Sequence, residues 1–309
     1  MNLQLRNIKQ SLNKAYLSQS PFAGQISLFK KNYSAFVRAT NPTDTEETLK
    51  DYLNRFLNNT YYENKYALKE NENNIDLVIK NGKNTNDKTA VIIETKAIKN
   101  TNEMVSADEI NRKALHETIL YYMEERLKAG NYEVKHIIIT NTIEWFIIDA
   151  TEYERLFYSN PSFFNDYKKW AHGELVGKTK EWFYKEIAKP FIENSDETLQ
   201  CTSLIIDKNK PIQRYTDEDW IGLYKIFSPR HLLKLPFQND SNILNNKFYN
   251  ELLHILGLHE TKSKKVKTIE RLPQAERNEG SLIENTIHTL QSNDILHQIE
   301  NPERFGENK

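Results

Sequence analysis

Asp76, Glu94 and Lys96 are the residues of this chain whose types and spacing suit chemistry. Asp76 lies in the run Asn74-Ile-Asp-Leu-Val-Ile-Lys80, after a polar stretch rich in Glu and Asn; Glu94-Thr-Lys96 closes the run that begins at Thr89-Ala-Val-Ile-Ile. Both runs carry strand patterns. Residues two apart on a strand share a face, so Glu94 and Lys96 project together. If the strands pair through the Asn81 to Lys88 connection, which opens on a hairpin-type Asn-Gly, Asp76 comes beside Glu94. Two carboxylates and an ammonium then meet at one end of a sheet. Such a set suits phosphodiester hydrolysis. The acids bind Mg²⁺, which polarises the phosphoryl oxygen, generates hydroxide and stabilises the leaving oxygen. The lysine orients or deprotonates the attacking water, or neutralises charge building on the phosphorane. The bland alternative is a cross-strand salt bridge, although burying charge after Val-Ile-Ile costs several kcal/mol unless it is paired.

The elements needed to position these side chains are legible around them. Leu49, Tyr52, Leu53, Phe56 and Leu57 form a one-sided helical stripe, and Thr43 with Glu46 three residues on has capping-box spacing. Tyr61 to Lys69 reads as a strand, followed by the Asp76 strand and the doubly buried Thr89 to Thr95 strand. Ser106 to Ala129 reads as a helix with Leu115, Ile119, Leu120, Met123 and Leu127 in its core stripe and Gly130 ending it. Lys135 to Thr140 and Trp145 to Asp149 supply two more strands. The expected order is helix, three strands, helix, two strands.

Past Pro161 the strand signal nearly vanishes. Lys178 to Ile192, Thr216 to Phe227, Asn245 to Leu258 and Ser281 to Ile299 read as helices, two of them opening with capping-box spacing (Thr216/Asp219 and Ser281/Glu284). Between His259 and Gly280, Lys262-Ser-Lys-Lys-Val-Lys267 reads as a linker or a solvated basic loop that can meet phosphates. The expected fold class is α/β, a mixed sheet flanked by helices over residues 1–155, followed by a mainly helical connector domain over 156–309. The ending, without a closing element, suggests a fragment of a longer polypeptide. With 309 residues, one or two domains are expected. A net charge of −1 excludes a wholly basic nucleic-acid coat but leaves 42 Lys and Arg to form a local groove. The single cysteine, Cys201, excludes a disulfide framework and suits a reducing cytoplasm. No apolar run approaches the ~18 residues of a spanning helix, so no membrane partner is expected.

In this order of elements, the Asp76…Glu94-Thr95-Lys96 pattern resembles the PD-(D/E)XK nuclease superfamily. Asn13-Lys-Ala-Tyr-Leu17, Asn111-Arg-Lys-Ala-Leu-His-Glu117 with Leu120-Tyr-Tyr122, and Lys135-His-Ile-Ile-Ile-Thr-Asn141 followed by Glu144-Trp145 look like the nuclease region of large fused type II restriction–modification enzymes. The resemblance covers most of residues 1–150, and Ile75 stands where the name of the superfamily has proline. It implies a restriction-endonuclease-like fold and a type II site-specific deoxyribonuclease acting on double-stranded DNA, leaving a 5′-phosphate and a 3′-hydroxyl. It further implies Asp76 and Glu94 as ligands of Mg²⁺, with Mn²⁺ substituting, and Lys96 as the catalytic lysine. A methyltransferase using S-adenosylmethionine and a target-recognition domain are expected C-terminal to this chain.

Three weaker candidates accompany this core. Glu46 is either the third residue of a capping box, the first reading, or an additional metal ligand as in some relatives. Glu117 and Tyr121, four apart and therefore neighbours on one helical face, either position a water or phosphate or form an ordinary surface pair. The neighbouring His116 reads as structural. Gly173-Glu-Leu-Val-Gly177-Lys-Thr179 fails as a phosphate loop because three residues, not four, separate its glycines, and a helix start accounts for it better. His254 and His259 lack a third ligand. The competing functions are a catalytically silent DNA- or partner-binding module with a nuclease fold, and a nuclease of the same superfamily acting on RNA.

Overall fold

The computed structural model describes residues 1–206, 214–236, 246–263, 266–278 and 280–292. The chain divides into two compact units, Met1–Phe237 and Gln238–Lys309.

The first unit is built on one seven-stranded mixed sheet. Its strands are β1 (Asn2–Arg6), β2 (Leu68–Glu72), β3 (Ile75–Lys80), β4 (Thr89–Thr95), β5 (His136–Thr140), β6 (Glu144–Asp149) and β7 (Thr198–Ile205), in the spatial order β1-β7-β6-β5-β4-β3-β2. The pairs β1/β7 and β4/β5 are parallel and the rest antiparallel. In β4 and β5 every residue is buried, as suits β-branched runs covered on both faces. Alternation splits their side chains. Val78, Ile92, Ile137, Ile139 and Phe146 meet Leu115, Ile119 and Met123 of the Lys113–Leu127 helix. Leu77, Ile79, Val91, Ile93, Ile138 and Trp145 meet residues of the Ala23–Ala39, Glu46–Leu57 and Asp217–Ile226 helices. The class is α/β, with helices on both faces of the sheet.

The expected division at 155/156 is corrected. β7 inserts between β1 and β6, and Phe163, Tyr167 and Phe183 share one core with the Lys113–Leu127 helix, so residues up to Phe237 belong to the sheet unit. β1 and β7 escape a local reading because each is half polar and they pair with each other across nearly the whole unit. Two shorter runs also differ. Asn58–Tyr62 is a π-type turn continuing the preceding helix, with the strand starting only at Leu68, and the Ser106 to Ala129 helix begins at Lys113. At the other end Gly130, at φ +57°, stops it as expected.

In the second unit the linker reading of the basic segment is corrected. The Asn246–Leu256 and Leu282–Ser292 helices accompany an antiparallel hairpin, β8 (Leu258–Ser263) and β9 (Val266–Arg271), at the place read as a linker. Glu284 does not close a capping box. Its carboxylate takes a bidentate contact from Arg271, at 2.7 Å from Nε and 2.8 Å from Nη2. The expected extension of the last helix to Ile299 and the chain end lie outside the described residues, as does Asn245. Among the described residues, no helix is long and apolar enough to cross a membrane.

Candidate active site

Asp76 is the second residue of β3, entered through Asn73 and Asn74, whose φ values of 53° and 70° turn the chain sharply out of β2. The β3/β4 register pairs Leu77 with Ile93 and Val78 with Ile92. One further step sets Asp76 opposite Glu94, on the face that Val78 and Ile92 turn toward the Lys113–Leu127 helix. The aspartate is locked there. Its Oδ2 accepts from Thr95 N at 2.8 Å and from Thr95 Oγ1 at 2.6 Å.

Lys96 follows the end of β4, and its own N–H still donates to Thr140 O of β5 at 2.9 Å. The backbone therefore stays extended for one more residue and keeps Lys96 on the face of Glu94. Its buried ammonium lies 2.5 Å from Glu94 Oε1 and 2.7 Å from Glu117 Oε2. Glu117 comes from the Lys113–Leu127 helix and is also 3.8 Å from Lys113, which reaches Glu103 at 3.4 Å and Glu181 at 3.5 Å. Glu94 Oε2 is buried with no hydrogen-bond partner.

Electrostatics divide the roles. Burial pushes the Glu94 carboxyl well above the ordinary value, Asp76 and Glu117 add to this, and Lys96 opposes it. Burial acts to lower Lys96, but Glu94 and Glu117 outweigh it and hold the ammonium well above the usual lysine range. A lysine so held is charged at neutral pH. It is a poor proton acceptor, so of the roles open to it, orientation and charge neutralisation remain. One turn on, Tyr121 is buried, and its hydroxyl is raised by burial and then by Glu94 and Glu117.

The site residues named from the sequence separate in an instructive way. Asp76, Glu94, Lys96 and Glu117 come together, with Tyr121 alongside. Glu46 is half-buried at the start of its helix, where its Oε1 accepts from Ala97 N at 3.2 Å, directly after Lys96. It is not the capping-box residue. Thr45 is the cap, and its side chain accepts from Thr48 N, which makes Glu46 the first helical residue. His116 is structural as expected, bonded through Nε2 to Asn111 Oδ1 at 2.6 Å and lowered to about 4 by burial. The glycine segment ends in a helix start, with Thr179 capping Trp182 N.

The sequence reading missed Lys113, Glu103 and Lys180. Lys113 carried a signal, lying four residues before Glu117 on a helix. Lys180 carried none, because only the packing of its segment brings it near Tyr121. That segment is held by Gly177, where an added Cβ would meet the Trp182 ring at 2.0 Å. Gly177→Ala is expected to cost about 1–3 kcal/mol through overpacking, read as a lower urea midpoint with unchanged slope. An unchanged midpoint would show that Trp182 swings away freely.

Whether a divalent cation fits can be asked of the donors themselves. They are carboxylate oxygens, the hard ligands Mg²⁺ prefers, and Mg²⁺ is commonly held by only one or two protein carboxylates. The partnerless oxygen of Glu94 beside Asp76 meets that requirement. Among the described residues, no group of three or more His, Cys, Asp or Glu side chains is arranged as a ready-made metal cage.

Residues 6–240 match the family described as Domain of unknown function (DUF7149), and residues 241–309 match Domain of unknown function (DUF7814). The boundary between the two matches falls three residues beyond that between the compact units. No curated protein and no solved structure matches the chain. The first match takes in the greater part of the sequence, and the chain belongs to the DUF7149 family.

Proposed function

We propose that this DUF7149 family member is a divalent-cation-dependent DNA endonuclease of the PD-(D/E)XK kind, the nuclease module of a cytoplasmic restriction–modification enzyme. Its seven-stranded sheet would then be a restriction-endonuclease-like frame. Base reading, and methylation with S-adenosylmethionine, are assigned to partner domains. The observation that carries the reading is Glu94, a buried carboxylate with one oxygen on Lys96 and the other unpartnered, at the strand end that also bears Asp76. A buried, unsatisfied carboxylate oxygen costs about 1–3 kcal/mol or more, which a purely structural ion pair would have no reason to retain.

In this reading Asp76 and Glu94 hold the cation, which supplies Lewis acidity at the scissile phosphate. Lys96 presents a fixed positive charge to the oxygens on which negative charge develops. Glu117 holds that ammonium in place from the facing helix, and the two serve as one preorganised unit. Thr95 restrains Asp76 through its N–H and hydroxyl. Glu46 fixes the backbone that follows Lys96.

The test is nicking of supercoiled plasmid with Mg²⁺ or Mn²⁺, beside an EDTA control. Nicking that requires the cation and vanishes in EDTA is the expected result, and nicking unaffected by EDTA would overturn the reading. A second reading, the silent binding module, draws on the completeness of the Glu94–Lys96–Glu117 contacts, with the Lys96 side chain only 4% exposed. Calorimetric titration with Mg²⁺ separates the two. Binding that Asp76→Asn removes favours the enzyme, whereas a chain that neither binds Mg²⁺ nor cuts is the silent module.

A further inference from the structure

Beside the acidic cluster sits a cation with no ion-pair partner among the described residues. Lys180 lies over the ring of Tyr121, Nζ 5.6 Å from its centroid. That nitrogen is buried and has no hydrogen-bond partner, and no ion pair to it is found among the described residues. The neighbouring lysines are matched: Lys96 with Glu94 and Glu117, and Lys113 with Glu103, Glu117 and Glu181. An ammonium withdrawn from water without a counter-ion costs several kcal/mol. A cation–π contact returns only about 0.5–2 kcal/mol of that. The remaining deficit marks a place built for an anion that arrives with a ligand.

The surroundings narrow the anion. Lys113 reaches both Glu117 and Glu181, the residue next to Lys180, and Tyr121 lies one turn after Glu117, so Lys180 borders the carboxylates rather than standing apart from them. A lone small anion there would face three acids. A phosphodiester strand is different, because successive phosphates can lie one against the cation-binding pair and the next against Lys180. The ring of Tyr121, itself buried in the core, supports the lysine from below. The mounting is firm: Thr179 accepts from Trp182 N at 3.2 Å, and the Trp182 ring is seated on Gly177.

We propose that Lys180 binds a backbone phosphate of the DNA strand, next to the one held at Asp76 and Glu94, and so sets the register of the strand in the site. This rests on the nuclease reading above.

The experiment measures binding of a fluorescein-labelled DNA duplex by anisotropy between about 50 and 200 mM salt, with Ca²⁺ replacing Mg²⁺. Lys180→Met keeps the aliphatic stem on Tyr121 while removing the charge. It is expected to weaken binding about tenfold and to reduce the slope of log affinity against log salt by about one. Lys180→Arg is expected to restore both. Unchanged affinity and slope in Lys180→Met would overturn the assignment. Weaker binding with an unchanged slope would overturn it too, since the lysine would then act only through local structure. A wild-type chain that binds no duplex also overturns it. If that chain still nicks plasmid with Mg²⁺, the Lys180 assignment falls alone, and if it does not, the nuclease reading falls with it.

Discussion

Lys96→Met is expected to lower cation-dependent nicking at least about a hundredfold, the loss seen when a preorganised charge is taken from a transition state. The same change also disturbs the fold, and the two effects must be separated. Without the ammonium, Glu94 and Glu117 are left as neighbouring acids, and removing one partner of a buried ion pair typically costs about 3–5 kcal/mol. Part of that cost is avoidable, because Glu94 is already pushed toward its neutral form by burial and can take a proton. The double variant Lys96→Met/Glu117→Gln removes the repulsion as well. It is expected to melt close to the wild-type temperature and still fail to nick. Circular-dichroism melts beside plasmid nicking check both halves. A folded double variant cutting at the wild-type rate would remove Lys96 from the chemistry.

Between pH 6.5 and about 4 the chain is expected to lose several kcal/mol of stability, and the source is a pair of histidines away from the candidate site. His136 of β5 and His231 stack with ring centroids 4.7 Å apart. His136 Nδ1 lies 2.9 Å from Leu232 O, and His231 Nε2 is buried with no partner. Burial lowers His136 to about 4, with Asp149 and the Leu232 carbonyl opposing and Lys234 assisting. His231 is also held well below the usual histidine range, by burial first and then by His136 and Lys234, against Asp149. Below pH 6.5 the unfolded chain takes protons that these buried rings refuse, so stability falls as pH falls. For His136 the gap between about 6.5 unfolded and about 4 folded amounts to roughly 3 kcal/mol once the pH reaches the lower value. His116, also lowered to about 4, acts in the same direction. Glu94 acts in the opposite one. Its raised value means the folded chain keeps a proton that the unfolded chain releases, so its contribution grows on acidification from neutral pH. The comparison of wild type with His231→Leu isolates the histidine part. Urea unfolding at pH 7, 6 and 5 should show a flatter dependence in the variant, and equal slopes would remove the pair as the cause.

The legible parts of this molecule share one property, which is that short-range rules suffice for them. Thr89–Thr95 is a strand because seven residues without Gly or Pro include a β-branched core run, and its boundaries coincide with those read from the sequence. Strand periodicity alone put Glu94 and Lys96 on one face, and the Asn-Gly connection was enough to bring Asp76 back beside them. The Thr216/Asp219 box was equally local and is present. At the start of the Glu46–Leu57 helix the reading failed by two residues. Thr43 was read as the cap of its helix, but the cap is Thr45, directly before the first helical residue Glu46.

Residue order therefore determined the strands β3 to β6, their faces and the meeting of Asp76, Glu94 and Lys96, because steric preference and alternating burial act over a few residues. The tertiary structure decided the rest. It threaded β7 between β1 and β6, giving residues after 155 to the sheet unit rather than to a separate connector. It chose Glu117 as the second partner of Lys96, brought Glu46 to the backbone of Ala97, and set Lys180 over Tyr121 without a counter-ion among the described residues. Which buried charge meets which is settled by how helices cross a sheet, and no spacing along the chain carries that information. Burial is what gives those meetings their force, since it withdraws the water that would otherwise screen each charge from its neighbour.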